Sequence, residues 1–105
     1  MANIIYSKMA INDMNEIGDY ISQQHKSPKA ALKTIEKIQD AINKLTVFPH
    51  IGTPVSAIIA AETDYRFIGC VSYLAFYRVK DNDIFIDRII HGRRDFVGIL
   101  FGENI

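Results

Sequence analysis

Residues 73–90, YLAFYRVKDNDIFIDRII, predict a β-hairpin. The segments 73–80 and 84–90 are rich in aromatic and β-branched residues, which favour strands. The Asp-Asn-Asp between them suits a turn, because Asn and Asp tolerate the left-handed backbone that tight hairpins require. We therefore expect two antiparallel strands joined by a short connection.

A third strand, 65–70, precedes this hairpin across a turn at 71–72, which makes a three-stranded antiparallel meander. Side chains alternate between the two faces of a strand. In the last strand, one face would carry Ile84, Ile86, Arg88 and Ile90, and the other Phe85, Asp87, Ile89 and His91. Because neither face is purely polar, we expect one face to pack against the helices and the other to bind another molecule.

The N-terminal half predicts a strand at 3–6 and then two helices. The first helix, 8–24, places apolar residues at the three-and-four spacing of one helical face. The second begins at Ser27-Pro28, since a serine oxygen caps free backbone N–H groups and proline suits the first turn. The second helix has an apolar seam at Ala31, Ile35, Ile38, Ile42 and Leu45. The two helices should form a hairpin against the sheet, giving an α+β fold.

Two connections and one glycine complete this outline. Two prolines and a glycine at 48–54 predict a loop after the second helix. Residues 56–63 fit either a helical turn or an extended connector. Gly18 weakens the first helix, and we expect another backbone to approach it closely.

Composition indicates one domain spanning residues 1–105, with 49% hydrophobic residues and a formal net charge of zero. We expect a cytoplasmic protein without a membrane segment, because no apolar run approaches the roughly 18 residues of a span and no signal peptide is evident. The single cysteine, Cys70, lies in an apolar run and should be a buried filler. No spacing of Cys and His predicts a metal site, and no cofactor is expected.

The basic residues are unevenly distributed. All five arginines lie in the last 40 residues, whereas six of the seven lysines lie in the first 44. Arginine's planar fork suits carboxylates, phosphates and aromatic faces. We therefore expect the meander to gather Arg66, Arg78, Arg88, Arg93 and Arg94 into a common recognition surface.

The ordered motifs resemble those of the RelE/ParE superfamily of toxins, also called plasmid-stabilisation proteins. The resemblance rests on the order of elements and on three segments: a Pro-x-x-Gly-x-Pro loop at 49–54, Phe-Tyr-Arg-Val at 76–79, and Asp-Arg-Ile-Ile-His-Gly-Arg-Arg-Asp at 87–95. It covers nearly the whole chain. It implies a growth-inhibiting toxin of a type II toxin–antitoxin system, silenced by a cognate antitoxin protein, as a homodimer or as a heterotetramer with that antitoxin.

The superfamily divides in mechanism. RelE-like members cut mRNA on the ribosome, whereas ParE-like members poison DNA gyrase without acting as nucleases. For a RelE-like nuclease, the resemblance implies catalysis by His91 and Arg94, with Arg88 and Arg93 also holding the phosphate. The binding candidates in either case are Arg66, Tyr73, Tyr77, Arg78, Arg88, Arg93 and Arg94.

Three absences favour the ParE-like side. Leu74, rather than an arginine, follows Tyr73; the tail at 96–101 is apolar; and no lysine occurs between Lys44 and Lys80. The neutral net charge also suits a ribosome-entering nuclease poorly. A third interpretation is an inactive homologue that serves as an antitoxin-binding module.

Structural roles compete with each functional one. His91 could bond to Asp87 or Asp95, and Arg88 could pair with a carboxylate. Tyr73 and Tyr77 could both be core residues. The apolar tail either folds back onto the core or forms part of a groove for an antitoxin segment.

Overall fold

The computed structural model describes residues 2–60 and 62–102. Within them, five strands form one sheet: β1 (Asn3–Tyr6), β2 (Thr53–Pro54), β3 (Arg66–Cys70), β4 (Tyr73–Lys80) and β5 (Asp83–His91). Three α-helices accompany it: α1 (Lys8–Gln24), α2 (Pro28–Asn43) and α3 (Phe96–Phe101). The strand order is β1-β5-β4-β3-β2, with β1 parallel to β5 and all other pairs antiparallel. The predicted α+β fold is confirmed.

The helices begin where serine side chains cap them. Ser7 Oγ accepts the N–H of Ala10 at 2.9 Å, and Ser27 Oγ accepts the N–H of Ala30 at 3.1 Å, with Pro28 in the first turn. These bonds satisfy N–H groups that have no partner inside the helix. The expectation for Gly18 is wrong, since no atom of another element lies within 4 Å of a Cβ built there.

A bulge in β5 changes which faces its side chains occupy. Phe76 pairs with Arg88 and Tyr77 with Ile86, so Asp87 is left between them without an opposite residue. An extra residue of this kind moves the side chains that follow it to the opposite face of the sheet from the one that alternation predicts. Ile89 consequently joins Ile84 and Ile86 in one core cluster, while Ile90 packs in another. The strict alternation predicted for this strand is therefore wrong beyond Ile86.

The two core clusters lie on opposite faces of the sheet. On the helical face, α1 and α2 pack on alternate residues of β4, including Ala75 and Tyr77. On the second face, Val55, Phe76 and Ile90 are covered by side chains of α3. The apolar tail therefore folds back as a short helix, which was one of its two predicted roles.

The connections follow the predicted outline. Val71-Ser72 makes the first hairpin turn, and Val71 has a φ of 58°, a left-handed conformation that costs a β-branched residue about 1–3 kcal/mol. The undecided segment 56–63 contains a 3₁₀ turn at Val55–Ala57 and no other regular element among the residues described there. Cys70 is half-buried, and its thiol donates to the carbonyl of Lys37 at 3.2 Å. No helix in the described parts of the chain is long and apolar enough to cross a membrane.

Candidate functional site

A cavity of about 660 Å³ lies between α1, the start of α2, the β3–β4 turn and the end of β5. We call it the α1–β5 cleft. Its walls include Glu16 and Tyr20 from α1, the strained Val71, and Tyr73, His91 and Arg94. The cleft thus brings three sequence-predicted site residues, Tyr73, His91 and Arg94, to one place.

Tyr73 and His91 face each other across the first pair of β4 and β5. Their rings meet edge to face, with centroids 5.4 Å apart. Burial, reinforced by the nearby Tyr20, raises the pKa of the Tyr73 hydroxyl. Tyr73 therefore stays protonated at neutral pH and presents a neutral donor to the cleft.

His91 is engaged with the backbone that follows it. Its Nδ1 accepts the N–H of Arg93 at 3.1 Å, so a neutral ring carries its proton on Nε2. The predicted carboxylate partners are wrong: Asp87 binds Tyr65 and Arg78, and Asp95 caps α3 by accepting the N–H of Gly98. If His91 transferred a proton, it would have to use either Nδ1, which already accepts the N–H of Arg93, or Nε2, which carries the proton of the neutral ring.

Arg93 and Arg94 are exposed on the turn after β5. Neither forms an ion pair with a carboxylate in the described parts of the chain. Arg94 lines the α1–β5 cleft and also a smaller cavity formed with Asp95 and Ile99. Both guanidinium groups are therefore free to contact another molecule.

Arg88, in contrast, is held inside the protein by Asp13 of α1. Nε and Nη2 of Arg88 donate to the two carboxylate oxygens at 2.8 and 2.9 Å, and the N–H of Ile89 donates to the same carboxylate at 2.9 Å. Hydrogen bonding to Asp13 raises the pKa of Arg88. The alternative of an Arg88 paired with a carboxylate is confirmed. Its role in binding phosphate stays a prediction, which the pairing does not favour, because Asp13 already accepts two N–H groups of the guanidinium.

Arg78 forms a second, more open pair on the other face of the sheet. Its Nε donates to Asp87 at 2.8 Å, Tyr65 Oη donates to the same carboxylate at 2.8 Å, and the guanidinium lies 5.5 Å from the centre of the Tyr65 ring. Burial, followed by the bond to Asp87, raises the pKa of Tyr65 to about 12. This half-exposed cluster joins the residue before β3 to β4 and β5.

Arg66 and Tyr77 fasten the loop at 48–54. Arg66 donates to the carbonyls of His50 and Gly52 at 3.1 and 2.8 Å, and Tyr77 Oη accepts the N–H of Gly52 at 2.9 Å. Tyr77 is completely buried in the core. The alternative of Tyr77 as a core residue is therefore confirmed. Binding roles for Tyr77 and Arg66 stay predictions, and the burial of Tyr77 and the bonds of Arg66 to the loop do not favour them.

The five arginines consequently do not line one hollow, and the expected common surface is wrong in that form. Of the five, Arg94 alone lines the α1–β5 cleft. Asp13 is not among the predicted site residues, although it lies on the apolar face of α1 between Ala10 and Ile17. An acidic residue in an apolar helical stripe must find a cation when buried, and that signal predicts a partner such as Arg88.

Comparisons with known proteins agree with this architecture. The family described as "ParE toxin of type II toxin-antitoxin system, parDE" matches residues 4–96. "Toxin RelE2" of Caulobacter vibrioides is 30% identical over 94 residues, covering 90% of this chain and 99% of that protein.

Two solved structures share the fold. The chromosomal ParDE system of P. aeruginosa contains a chain that superposes with a TM-score of 0.71 at 24% identity, covering 87% of this chain and 96% of that one. The E. coli DinJ–YafQ complex gives a TM-score of 0.50 at 15% identity, covering 97% and 100% respectively.

Proposed function

We propose a target for this chain from the family to which it belongs, the ParE toxins of type II toxin–antitoxin systems. The proposed target is DNA gyrase, inhibited by binding rather than by cutting nucleic acid. The proposed contact surface is the turn at 91–94, with Arg93 and Arg94 as its binding residues, and Tyr73 shares the α1–β5 cleft with Arg94.

The way the arginines are used carries this proposal: two of the five have no internal partner among the described residues, and one nitrogen of the candidate acid–base group is occupied. Metal-free RNA cleavage needs a base for the 2′-hydroxyl, an acid for the leaving oxygen and cations around the phosphate. Here Arg66, Arg78 and Arg88 are bonded to internal acceptors, and His91 Nδ1 is bonded to Arg93. Two exposed arginines on an ordered turn suit a protein contact better than a nuclease centre.

We also propose that a cognate antitoxin holds this chain inactive. The P. aeruginosa structure is a ParDE system and the E. coli structure is a toxin–antitoxin complex, DinJ–YafQ. An antitoxin that covers the turn at 91–94 would block the proposed target contact directly.

The proposal is tested with purified gyrase and relaxed DNA. The chain should block supercoiling, and the double variant Arg93→Ala plus Arg94→Ala should lose the effect. Lys29→Ala plus Lys33→Ala is the matched control, since it removes two exposed charges from α2. Undiminished supercoiling at a large excess of the unmodified chain contradicts the proposal.

A ribosome-dependent mRNA endonuclease is the second candidate, because "Toxin RelE2" is a relative and His91 and Arg94 share the α1–β5 cleft. Mapping mRNA ends after induction separates the two functions: codon-specific cuts support the endonuclease, and intact mRNA with blocked supercoiling supports gyrase binding. Harmless overexpression would favour the third interpretation, an inactive antitoxin-binding module.

A further inference from the structure

The turn at 91–94 is ordered by a series of backbone hydrogen bonds. The N–H of Gly92 donates to the carbonyl of Ser72 at 2.9 Å, and the N–H of Arg94 donates to the carbonyl of His91 at 3.0 Å. Between them, the N–H of Arg93 donates to Nδ1 of His91 at 3.1 Å. Three successive amides are thus satisfied, and the middle one depends on a side chain.

This use of His91 imitates an Asx turn. In an Asx turn, the side-chain oxygen of Asn or Asp accepts the backbone N–H two residues further along. His91 offers Nδ1 to the residue at the same separation, while its ring packs edge to face on Tyr73. The contact with Tyr73 holds the ring in place, so the acceptor is already aimed when the turn forms.

We propose that His91 is a positioning residue that orders the turn and thereby aims Arg93 and Arg94 at the target. This inference rests on the proposed function, in which these two arginines make the contact. Arginine side chains on a disordered turn would lose conformational freedom on binding, and a turn ordered beforehand lowers that cost. His91 acts through the arginines and exchanges no proton with a substrate.

Two substitutions separate positioning from proton transfer. His91→Phe keeps a ring against Tyr73 but removes the acceptor. His91→Asn removes the ring and the titratable group but supplies an Oδ1 that can accept the N–H of Arg93. Inhibition by His91→Phe should be about fivefold weaker, the affinity equivalent of one hydrogen bond of about 1 kcal/mol. His91→Asn should restore inhibition to within about twofold of the unmodified chain.

Growth arrest on expression of the full chain and inhibition of purified gyrase are both measured, with thermal melts to confirm folding. Loss of activity in His91→Asn with retention in His91→Phe would overturn the inference and favour a role for the aromatic ring packed on Tyr73, since neither substitute can titrate. Equal loss in both folded variants, or no loss in either, would also overturn it.

Imidazole nitrogen NMR tests the geometry independently of the target. At a pH where the ring is neutral, His91 should carry its proton on Nε2, and the Arg93 amide shift should move in His91→Phe. A proton on Nδ1 of the neutral ring would overturn the inference. If gyrase is unaffected by the unmodified chain while growth arrest follows the predicted order of variants, the gyrase proposal fails and the role of His91 stands.

Discussion

On the helical face of the sheet, α1 and α2 bury a continuous core in which Ile38, Ile42 and Leu45 have 1% exposure or less. On the second face, α3 covers Val55, Phe76 and Ile90, but none of its own residues is buried. A six-residue helix whose apolar side chains are only partly buried has less apolar contact to lose when it opens than α1 or α2. Global stability should therefore come mainly from the helical face, and the second face should open first.

The two arginine–carboxylate pairs repeat this contrast. The pair of Arg88 and Asp13 joins α1 to β5, and its side chains are 15% and 9% exposed. Those of Arg78 and Asp87 are 43% and 17% exposed. Removing one member of a buried pair leaves an uncompensated charge away from water, but a half-exposed arginine is readily solvated. Removing the carboxylate should therefore lower the free energy of unfolding more in the Arg88–Asp13 pair than in the Arg78–Asp87 pair.

The largest expected effect is that of Asp13→Ala. It leaves the Arg88 charge and the N–H of Ile89 without their partner, and should lower the free energy of unfolding by about 3–5 kcal/mol. Asp87→Ala, the matched substitution in the open pair, should cost about 1 kcal/mol. Urea denaturation of both variants measures the difference, and equal losses would contradict the contrast between the pairs.

Next in size are matched isoleucine truncations in the two cores. Ile38→Ala removes a fully buried side chain from α2 and should cost about 3 kcal/mol. Ile99→Ala, in half-buried α3, should cost about half as much because less cavity is created. Denaturation midpoints compare the two, and a larger loss for Ile99→Ala would show that α3 is the more strongly packed helix.

A substitution in α1 should increase stability. Gly18→Ala places a methyl group where no atom of another element lies within 4 Å, and alanine favours a helix interior by about 1 kcal/mol over glycine. Thermal melts should show the rise. Gly52→Ala is the opposite control, since its Cβ would lie 2.5 Å from Tyr77 Oη, and an increase in stability there would contradict the observed loop geometry.

The smallest expected effect on stability is that of Arg93→Ala plus Arg94→Ala. Both residues are exposed and lack an ion pair with any described carboxylate, so the free energy of unfolding should change by less than about 0.5 kcal/mol. The same variant should lose toxicity in growth assays. A large loss of stability would mean that these residues support the fold rather than the target contact.

The sequence by itself predicted the elements whose causes are local. Ser27 and Pro28 start α2 because capping and proline geometry act within one turn. Asp81 and Asn82, within the predicted 81–83, make a hairpin turn because of their own backbone preferences, while Asp83 already belongs to β5. The resemblance carried by residues 49–54, 76–79 and 87–95 likewise led to the family that the comparisons established.

Only the tertiary structure decided how the arginines are used. A guanidinium has the same sequence signature whether it binds a target or an internal carboxylate, and its partner lies far along the chain: Asp13 for Arg88, and the carbonyl of Gly52 for Arg66. The bulge at Asp87 also depends on pairing with β4, so the face of Ile89 could not follow from alternation alone. Contacts between distant residues, which local spacing does not encode, bind Arg66, Arg78 and Arg88 to internal partners and leave Arg93 and Arg94 free.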